Sequence, residues 1–198
     1  DRTVASGEKV LINASESNAD LIAIDVDGDG TFERTNEEDF REAVSYADPG
    51  EVEPVVRAEI ESRTQTRTCP TITVNQPPRA EVDASSENPT VGESVRFDAA
   101  GSDDPDGELV AFRWFVDGDE VSDSPTSTAR MTHTFTEGGR HTVGVLVVDD
   151  SDAADRAELS LEVNEPPVAA ISLSGDPTVN ESVRLDASAS SDPDGRIV

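Results

Sequence analysis

The chain has 198 residues and a formal net charge of −28, from 43 acidic and 15 basic residues. A surface of this sign repels phosphate backbones, which argues against nucleic acid as a partner, and no stretch of about 20 apolar residues could span a membrane. The single cysteine, Cys69, excludes a disulfide framework within the chain. No signal peptide is recognisable, as expected for an excised fragment or a processed secreted protein.

Alternating apolar residues mark the strands in the first part of the chain. A spacing of two is the period of a half-buried β-strand. Pro54 falls within the strand expected to be sixth, and because proline cannot donate to a ladder, that strand should be an edge or contain a bulge. The alternating positions are Val10, Ile12 and Ala14, then Ile22, Ile24 and Val26, then Ile72 and Val74.

The stretch Asp25 to Gly30, here called the 25 loop, reads DVDGDG and resembles the start of a calcium loop. An EF-hand needs a bidentate Glu at its twelfth position, which is Asn36 here, and flanking helices, which the pattern does not predict. Two interpretations stay open. The loop is a turn that ends a strand, or it is a calcium site of another kind built from Asp25, Asp27 and Asp29.

Two linkers divide the chain. Asn75-Gln76-Pro77-Pro78 recurs as Asn164-Glu165-Pro166-Pro167, each time after a strand-like run. Pro-Pro cannot extend a ladder and stiffens the backbone, so these are short, semi-rigid joints. The predicted domains are residues 1–75, which lack a first strand, residues 76–164, which are complete, and residues 165–198, the first part of a third.

The middle domain alternates at period two in almost every segment, and no segment carries a helical stripe. About seven short strands predict a sandwich of two sheets with Trp114 at its centre. His133 and His141 are interpreted as core or edge residues rather than ligands. The predicted inward faces are Val95, Phe97 and Ala99; Val110, Phe112, Trp114 and Val116; Met131, His133 and Phe135; His141, Val143, Val145 and Val147; and Leu159, Leu161 and Val163.

The third domain repeats the second. Residues 90–110 and 178–198 share 14 of 21 identities at an offset of 88 residues, a period that indicates tandem domains. Residues 165–198 cannot close a sandwich alone, so an open apolar face and free strand edges are expected. Either the chain is part of a longer array, or a neighbouring copy supplies the missing strands.

A series of motifs runs through the middle domain: Asp104-Pro105-Asp106-Gly107 (the 104 loop), Phe112-Arg113-Trp114, Asp117-Gly118 and His133-Thr134-Phe135, followed by a Gly139 turn and a valine-rich strand. Together these motifs resemble the PKD domain family. The resemblance implies an immunoglobulin-like β-sandwich, and hence an all-β fold of tandem sandwiches. Phe115 replaces the Asp of the family's Trp-Asp pair, and the first domain has Ile24 in place of the Trp and lacks the D-P-D-G loop.

Some PKD domains bind calcium at the D-P-D-G loop, near the linker. The resemblance therefore implies Ca²⁺ at Asp104 and Asp106, and at Asp192 and Asp194 of the equivalent 192 loop (Asp192 to Gly195). Calcium takes six to eight oxygens, so two carboxylates do not suffice. The further candidate donors are Asn75, Asn164 and Asp117. The alternative is an Asx-type turn with solvated carboxylates.

Other site signals are sparse. Asn13-Ala14-Ser15 and Asn180-Glu181-Ser182 have the form of N-glycosylation acceptors, with Asn13 and Asn180 expected to be exposed. No catalytic motif is found, and with 43 acids carboxylate pairs are expected from composition alone. The chain is therefore predicted not to be an enzyme.

The function expected from these features is structural or adhesive and extracellular. Of the 15 basic residues only Lys9 is lysine, and an acidic, lysine-poor surface is similar to that of halophilic archaeal proteins. The partners expected are neighbouring PKD-like domains, copies of the chain, or surface glycans and proteins. The alternative is a carbohydrate- or substrate-binding accessory region of a secreted hydrolase.

Overall fold

All regular structure in the described part of the chain is β-strand. The computed structural model describes residues 2–14, 19–36, 41–121, 128–175, 179–180 and 182–197. No helix there is long and apolar enough to cross a membrane. The fold class is therefore all-β, as the period-two patterning predicts.

Among the described residues, nine strands precede the first Pro-Pro linker. They are β1 (Arg2–Ala5), β2 (Lys9–Asn13), β3 (Leu21–Asp25), β4 (Arg34–Asn36), β5 (Arg41–Ser45), β6 (Gly50–Val52), β7 (Val55–Ile60), β8 (Arg63–Thr68) and β9 (Ile72–Asn75). They form sheets of order β1-β9-β6, β2-β5 and β4-β3-β7-β8. β1 runs parallel to β9, with Ala5 opposite Asn75.

Nine further strands follow. They are β10 (Asp83–Ala84), β11 (Ser94–Asp98), β12 (Leu109–Val116), β13 (Asp119–Glu120), β14 (Arg130–Thr134), β15 (Gly139–Asp149), β16 (Ala154–Val163), β17 (Ser172–Ser174) and β18 (Arg184–Asp186). Their sheets have the orders β10-β11-β14, β13-β12-β15-β16 and β17-β18.

The pairing pattern repeats along the chain. Antiparallel pairing joins β2 to β5 with Leu11 opposite Ala43, and joins β11 to β14 with Arg96 opposite Thr132. The parallel partnership of Ala5 and Asn75 recurs as a single parallel bridge between Thr90 and Asn164. The strands before and after the first linker thus share these two pairings.

Burial follows the predicted faces closely. Val95, Phe97 and Ala99 are 0% exposed and Trp114 is 2% exposed, so the predicted central position of the tryptophan is confirmed. Before the linker there are two apolar clusters. One is built around Val4, Val10, Tyr46, Ile72 and Val74, and the other around Ile12, Ile22 and Ile24.

Three features differ from the sequence prediction. Val110 was placed on the inward face but is 50% exposed, because it lies at the start of β12. β1 and the fully exposed β8 were not predicted, since neither alternates clearly. Pro54 lies in no strand, so the edge strand or bulge expected to contain it does not occur. It separates β6 from β7, which belong to different sheets, so no ladder needs its missing amide.

Contacts between Cα atoms divide the chain into two compact units. Unit 1 contains residues 1–79, 103–110 and 148–155, and unit 2 contains residues 80–102, 111–147 and 156–198. The 104 loop and the turn after β15 therefore belong to the same unit as the first nine strands. The division into three domains remains a prediction.

Candidate metal-binding loops at the strand ends

A buried polar pair lies where β9 and β15 end, within unit 1. The Asn75 side-chain amide donates a hydrogen bond of 2.8 Å to Oδ2 of Asp149. Asp149 is 0% and Asn75 6% exposed. Oδ1 of Asp149 accepts the amides of Ser151 and Ala153, at 2.9 and 2.7 Å. The pair thus fixes the turn after β15 to the last residue of β9, and a buried carboxylate in this state is well satisfied.

The 104 loop holds the linker that follows Asn75. The backbone amide of Gln76 donates to both carboxylate oxygens of Asp106, each at 3.1 Å. The same contact recurs within unit 2, where the amide of Glu165 donates to Oδ2 of Asp194 at 2.7 Å. We call these two contacts the linker clasps. The predicted proximity of the D-P-D-G loop to the linker is therefore present twice.

One oxygen of Asp104 is buried without a hydrogen bond. Oδ1 accepts the Asp106 amide at 3.3 Å, whereas Oδ2 has no partner and almost no exposed surface. A Cβ placed on Gly107 would lie 2.7 Å from this Oδ2 and 2.6 Å from Oδ1 of Asp150. Two carboxylate oxygens therefore lie close to the same point beside Gly107.

This crowding also affects the pKa of Asp104. Burial raises the pKa of its carboxyl above the ordinary value of 3.8, and the charges of Asp149 and Asp106 add to the rise, while the backbone amides of Asp106 and Gly107 partly offset it. A raised pKa means that the loop is stabilised while Asp104 is protonated, and that this contribution is lost as the pH rises through the raised value. A cation bound beside Asp104 would stabilise its ionised carboxylate and so offset this loss of stability at neutral pH. The Asp104 oxygen and the neighbouring Asp150 are thus two candidate ligands for a hard, oxygen-preferring cation such as Ca²⁺, which would need further oxygens.

The 192 loop repeats this arrangement in part. A Cβ on Gly195 would lie 2.5 Å from Oδ2 of Asp192, and the Gly195 amide donates to Oδ1 of Asp192 at 3.1 Å. Asn164, unlike Asn75, is exposed. Its backbone amide donates to Pro89 and its carbonyl accepts the amide of Val91.

Asp117 belongs to a separate cluster within unit 2. Its Oδ2 lies 2.7 Å from Nδ1 of His141, and its Oδ1 accepts the amide of Thr142 at 2.8 Å. Burial raises the pKa of Asp117, but hydrogen bonds from His141 and Thr142 and the nearby His charges outweigh it, so the pKa is lowered. Asp117, which was expected to complete the calcium site, is thus bonded to His141 and Thr142 at the start of β15 instead. His141 is a partly buried residue of the inner strand β15 with both ring nitrogens partnered, which agrees with its interpretation as a structural residue rather than a ligand.

The 25 loop gathers four acids. One oxygen from each of Asp25, Asp27, Asp29 and Glu33 lies within 4.8 Å of the others. Among the described residues, no other group of three or more acidic, histidine or cysteine side chains meets this spacing. Asp25 is buried, and its two oxygens accept the amides of Gly28 and Gly30, at 2.7 and 2.8 Å.

Both interpretations of the 25 loop survive in this geometry. The backbone bonds to Asp25 make a complete turn, and Gly28 is required there, because its φ is +80° and a Cβ would lie 2.6 Å from the carbonyl oxygen of Glu53. The three outer carboxylates are exposed. Glu33, four residues beyond Asp29, was missed from the sequence, although carboxylates spaced along one loop were the available signal.

The remaining candidates are isolated. Asn13 is exposed, with Oδ1 accepting a bond from Nε of Arg41 at 3.3 Å. Asn180 is exposed at a φ of +66°, which suits a turn. Ser15 and Glu181 of the two acceptor motifs lie outside the described residues. Burial raises the pKa of the free Cys69 thiol, which disfavours its reactive thiolate form.

The middle of the chain is similar to known proteins. Residues 75–163 match the PKD domain family. Collagenase ColA of Clostridium perfringens is 31% identical over 93 residues, which are 46% of this chain and 8% of the collagenase. The chain thus spans less than a tenth of that relative.

Two solved structures are similar to this chain, and the first of them supports the fold. The ectodomain of mouse nectin-like molecule 4, made of domains Ig1 to Ig3, superposes with a TM-score of 0.52 at 17% identity, covering 93% of this chain and 75% of that one. The PKD1 domain of Vibrio anguillarum Epp is 29% identical, with a TM-score of 0.38, covering 46% of this chain and 99% of that domain. The fold is an immunoglobulin-like β-sandwich.

Proposed function

We propose that this chain is a non-catalytic, extracellular run of β-sandwich repeats that serves as a spacer or adhesive part of a halophilic surface protein or filament. The observation that supports this is the pair of linker clasps. In each, an Asp of a D-P-D-G loop binds the backbone amide just before Pro-Pro. A contact repeated at each joint suits a chain whose task is to hold its parts at a set spacing.

The clasps stiffen the joints because they add a charged acceptor to a segment already limited by two prolines. Pro-Pro restricts the backbone torsions, and a hydrogen bond to a carboxylate stabilises one arrangement of the preceding amide by about 1.5–3 kcal/mol. The roles expected of the whole surface protein, self-association and contact with neighbouring repeats, glycans or surface proteins, are compatible with such a scaffold.

We expect the double substitution Asp106→Ala with Asp194→Ala to loosen both joints while leaving the sandwiches folded. Hydrogen–deuterium exchange at the amides of Gln76 and Glu165 should accelerate about tenfold or more, the loss of one charged hydrogen bond. The pair-distance distribution from small-angle scattering should broaden at the same time. Asp119→Ala removes an exposed acid elsewhere and serves as the control. If exchange accelerates but the distribution does not broaden, the clasps are local turns and the spacer role loses its support.

Calcium at the 104 loop would strengthen this joint. Asp104 and Asp150 would hold the ion, with Asp106 and Asn75 beside them. Calcium would supply only positive charge here, since nothing in the proposed role calls for chemistry at the metal. The 192 loop, with Asp192 and Asp194, is the equivalent site, and the 25 loop, with Asp25, Asp27 and Asp29, is a separate candidate.

We expect Ca²⁺ to raise the melting temperature of the full chain at pH 7, and EDTA to reverse the rise. Ligand that binds the folded state alone at about 100 times its Kd stabilises by about 2.7 kcal/mol. Asp104→Asn should abolish most of the rise while raising the melting temperature without calcium, since it removes the crowded charge. Asp27→Asn tests the 25 loop in the same way. A calcium shift unchanged in both variants would place the ion elsewhere.

A second candidate function is an accessory, carbohydrate- or substrate-binding region of a secreted hydrolase. The likeness to a stretch of a collagenase favours it. Binding of the full chain to a panel of hydrolase substrates, polysaccharides and collagen, separates an accessory region from a pure spacer, because saturable binding is expected of the first and not of the second.

A further inference from the structure

The strand β8 has an unpaired outer edge. It is the last strand of the sheet β4-β3-β7-β8, and among the described residues it pairs with β7 alone. Its six residues match β7 one for one, from Thr68 opposite Val55 to Arg63 opposite Ile60, so no bulge interrupts it. Proline and bulges are common devices that keep edge strands from pairing with other chains, and β8 contains neither.

The middle repeat shows that the segment leading into a repeat does not cover this edge. There, β16 is the equivalent of β8 and β9 together, since the parallel partnership of β9 recurs just after its end. The leading segment meets only the end of β16, where the Glu162 amide donates to the Glu87 carbonyl at 3.3 Å. Upstream of that point, Ser85 donates to Arg96, which belongs to the other sheet. The open edge is therefore a property of the repeat.

Three threonines present their backbone groups to the edge of β8. The Cys69 amide donates to the carbonyl of Pro54, next to β7, at 2.7 Å. Along an antiparallel ladder, residues bonded to one neighbour alternate with residues whose amide and carbonyl face the other way. Counting back from Cys69 by this rule, Thr64, Thr66 and Thr68 face away from β7. Threonine is also among the residues that favour strands.

The charge of β8 differs from that of the chain. It reads RTQTRT, with two arginines and no acid, whereas 43 of the 198 residues are acidic. Two copies of a chain with a net charge of −28 repel each other in most orientations. The edge of β16 carries Asp155 and Glu158. Of these two edges, β8 is thus the one at which a second copy meets less repulsion.

We propose that the outer edge of β8 pairs, in antiparallel direction, with β8 of a second copy. A twofold axis then joins two sheets of four strands into one sheet of eight, and the same surface serves both copies. Main-chain hydrogen bonds supply the affinity in this mode of recognition. The pairing deepens the self-association included in the proposed function and rests on it, but it uses none of the residues of the linker clasps.

The side chains select one register for this pair. A twofold axis at Thr66 sets this residue opposite its own copy and sets Thr64 opposite Thr68. All three outward-facing residues then form hydrogen-bonded pairs, with about six main-chain bonds in total. Threonines opposite each other are favourable, and Gln65 then lies opposite Arg67.

The neighbouring register is unfavourable. An axis at Gln65 would set Arg63 opposite Arg67 and so place like charges against each other. It would also leave Thr68 without a partner in the strand of the second copy. The axis at Thr66 is therefore the register to test.

Sedimentation equilibrium of the full chain tests the pairing. The buffer contains a reductant, so that a disulfide through Cys69 cannot contribute, and KCl at about 1 M or more, where charge repulsion is largely screened. We expect a reversible, concentration-dependent rise from the mass of one chain to that of two. Thr66→Pro removes the central outward amide and should abolish the dimer while the monomer stays folded, since proline is tolerated on an edge strand when its nitrogen faces away from the neighbouring strand.

Two substitutions that add the same charge test the register, at the lowest KCl concentration at which the original chain dimerises. Gln65→Glu places a carboxylate opposite Arg67 of the second copy, so the Kd of the dimer should fall about twofold to tenfold. Thr66→Glu places two carboxylates opposite each other, so the Kd should rise by about twofold to tenfold or more. A nonspecific effect of added charge would shift both values in one direction.

Three results would overturn the proposal: no reversible dimer, a folded and dimeric Thr66→Pro chain, or shifts of the Kd in the same direction for the two charge variants. If Thr66→Pro does not fold, the two charge variants decide alone. A dimer that forms as expected, while Asp106→Ala with Asp194→Ala fails to loosen the joints, would remove the spacer role and leave the pairing in place.

Discussion

Trp114→Ala should lower the free energy of unfolding by about 3–5 kcal/mol, the usual cost of removing a large aromatic side chain from a core. Trp114 is 2% exposed and lies in β12 between Phe112 and Val116, which are also buried. Small domains have only about 5–15 kcal/mol of stability in total. The variant is therefore expected to be close to unfolding.

Phe115→Ala is the matched control for this experiment. It removes an aromatic ring from the next residue of the same strand, but one that points to the other face, where the Arg156 guanidinium lies 4.7 Å from its ring centre. We expect a loss of about 1–2 kcal/mol, from one partly exposed contact. Chemical denaturation followed by circular dichroism measures both variants. Equal losses would mean that the core is not organised around Trp114.

The residues of the middle repeat that face the core could be predicted because its main strands have one exposed and one buried face. β11 alternates exposed and buried residues, and a one-residue error would have turned Phe97 outward. β8 gave no such signal. It reads RTQTRT, is exposed along its whole length and is a strand only because it pairs with β7. Tertiary pairing, not local pattern, decides such a segment.

The buried polar pair and the 104 loop of unit 1 could be predicted only in part from the sequence. Asn75, Asp104 and Asp106 stand in motifs, so they could be proposed. Asp149 was missed, although it is the most buried acid of the group. Its partner Asn75 is 74 residues away in the sequence. The chain has 43 acidic residues, and no neighbouring sequence feature marks the one that becomes buried. Burial of a charge is a property of the assembled fold, because it depends on which donors arrive from distant segments.

The linker clasps show the opposite case. The resemblance to PKD domains implied that linker and loop would lie close together, and the bond from Gln76 to Asp106 recurs as that from Glu165 to Asp194. The backbone donor could not be predicted, since an amide has no residue-specific signal. The family resemblance thus indicated which segments meet but not which atoms do.

Folding of the chain is expected to depend strongly on salt. A formal charge of −28 on 198 residues gives a self-repulsion that compaction increases. At about 0.1 M salt the Debye length is roughly 10 Å, so neighbouring carboxylates repel, while at about 1 M it is roughly 3 Å and most of that repulsion is screened. We expect the melting temperature, followed by circular dichroism, to rise by more than about 10 °C between 0.1 M and 3 M KCl, since about 1 kcal/mol moves a domain of this size by a few degrees.

High salt also strengthens burial of apolar surface, so the charge effect needs its own control. A variant with five exposed acids changed to their amides keeps the same core and lowers the charge from −28 to −23. If repulsion causes the dependence, this variant should reach a given melting temperature at lower KCl, because less charge needs to be screened. If salting-out causes it, the two curves should be parallel. Equal stability of the original chain at 0.1 M and 3 M KCl would rule out adaptation to high salt. The five positions are Asp48, Glu51, Glu87, Asp119 and Glu162.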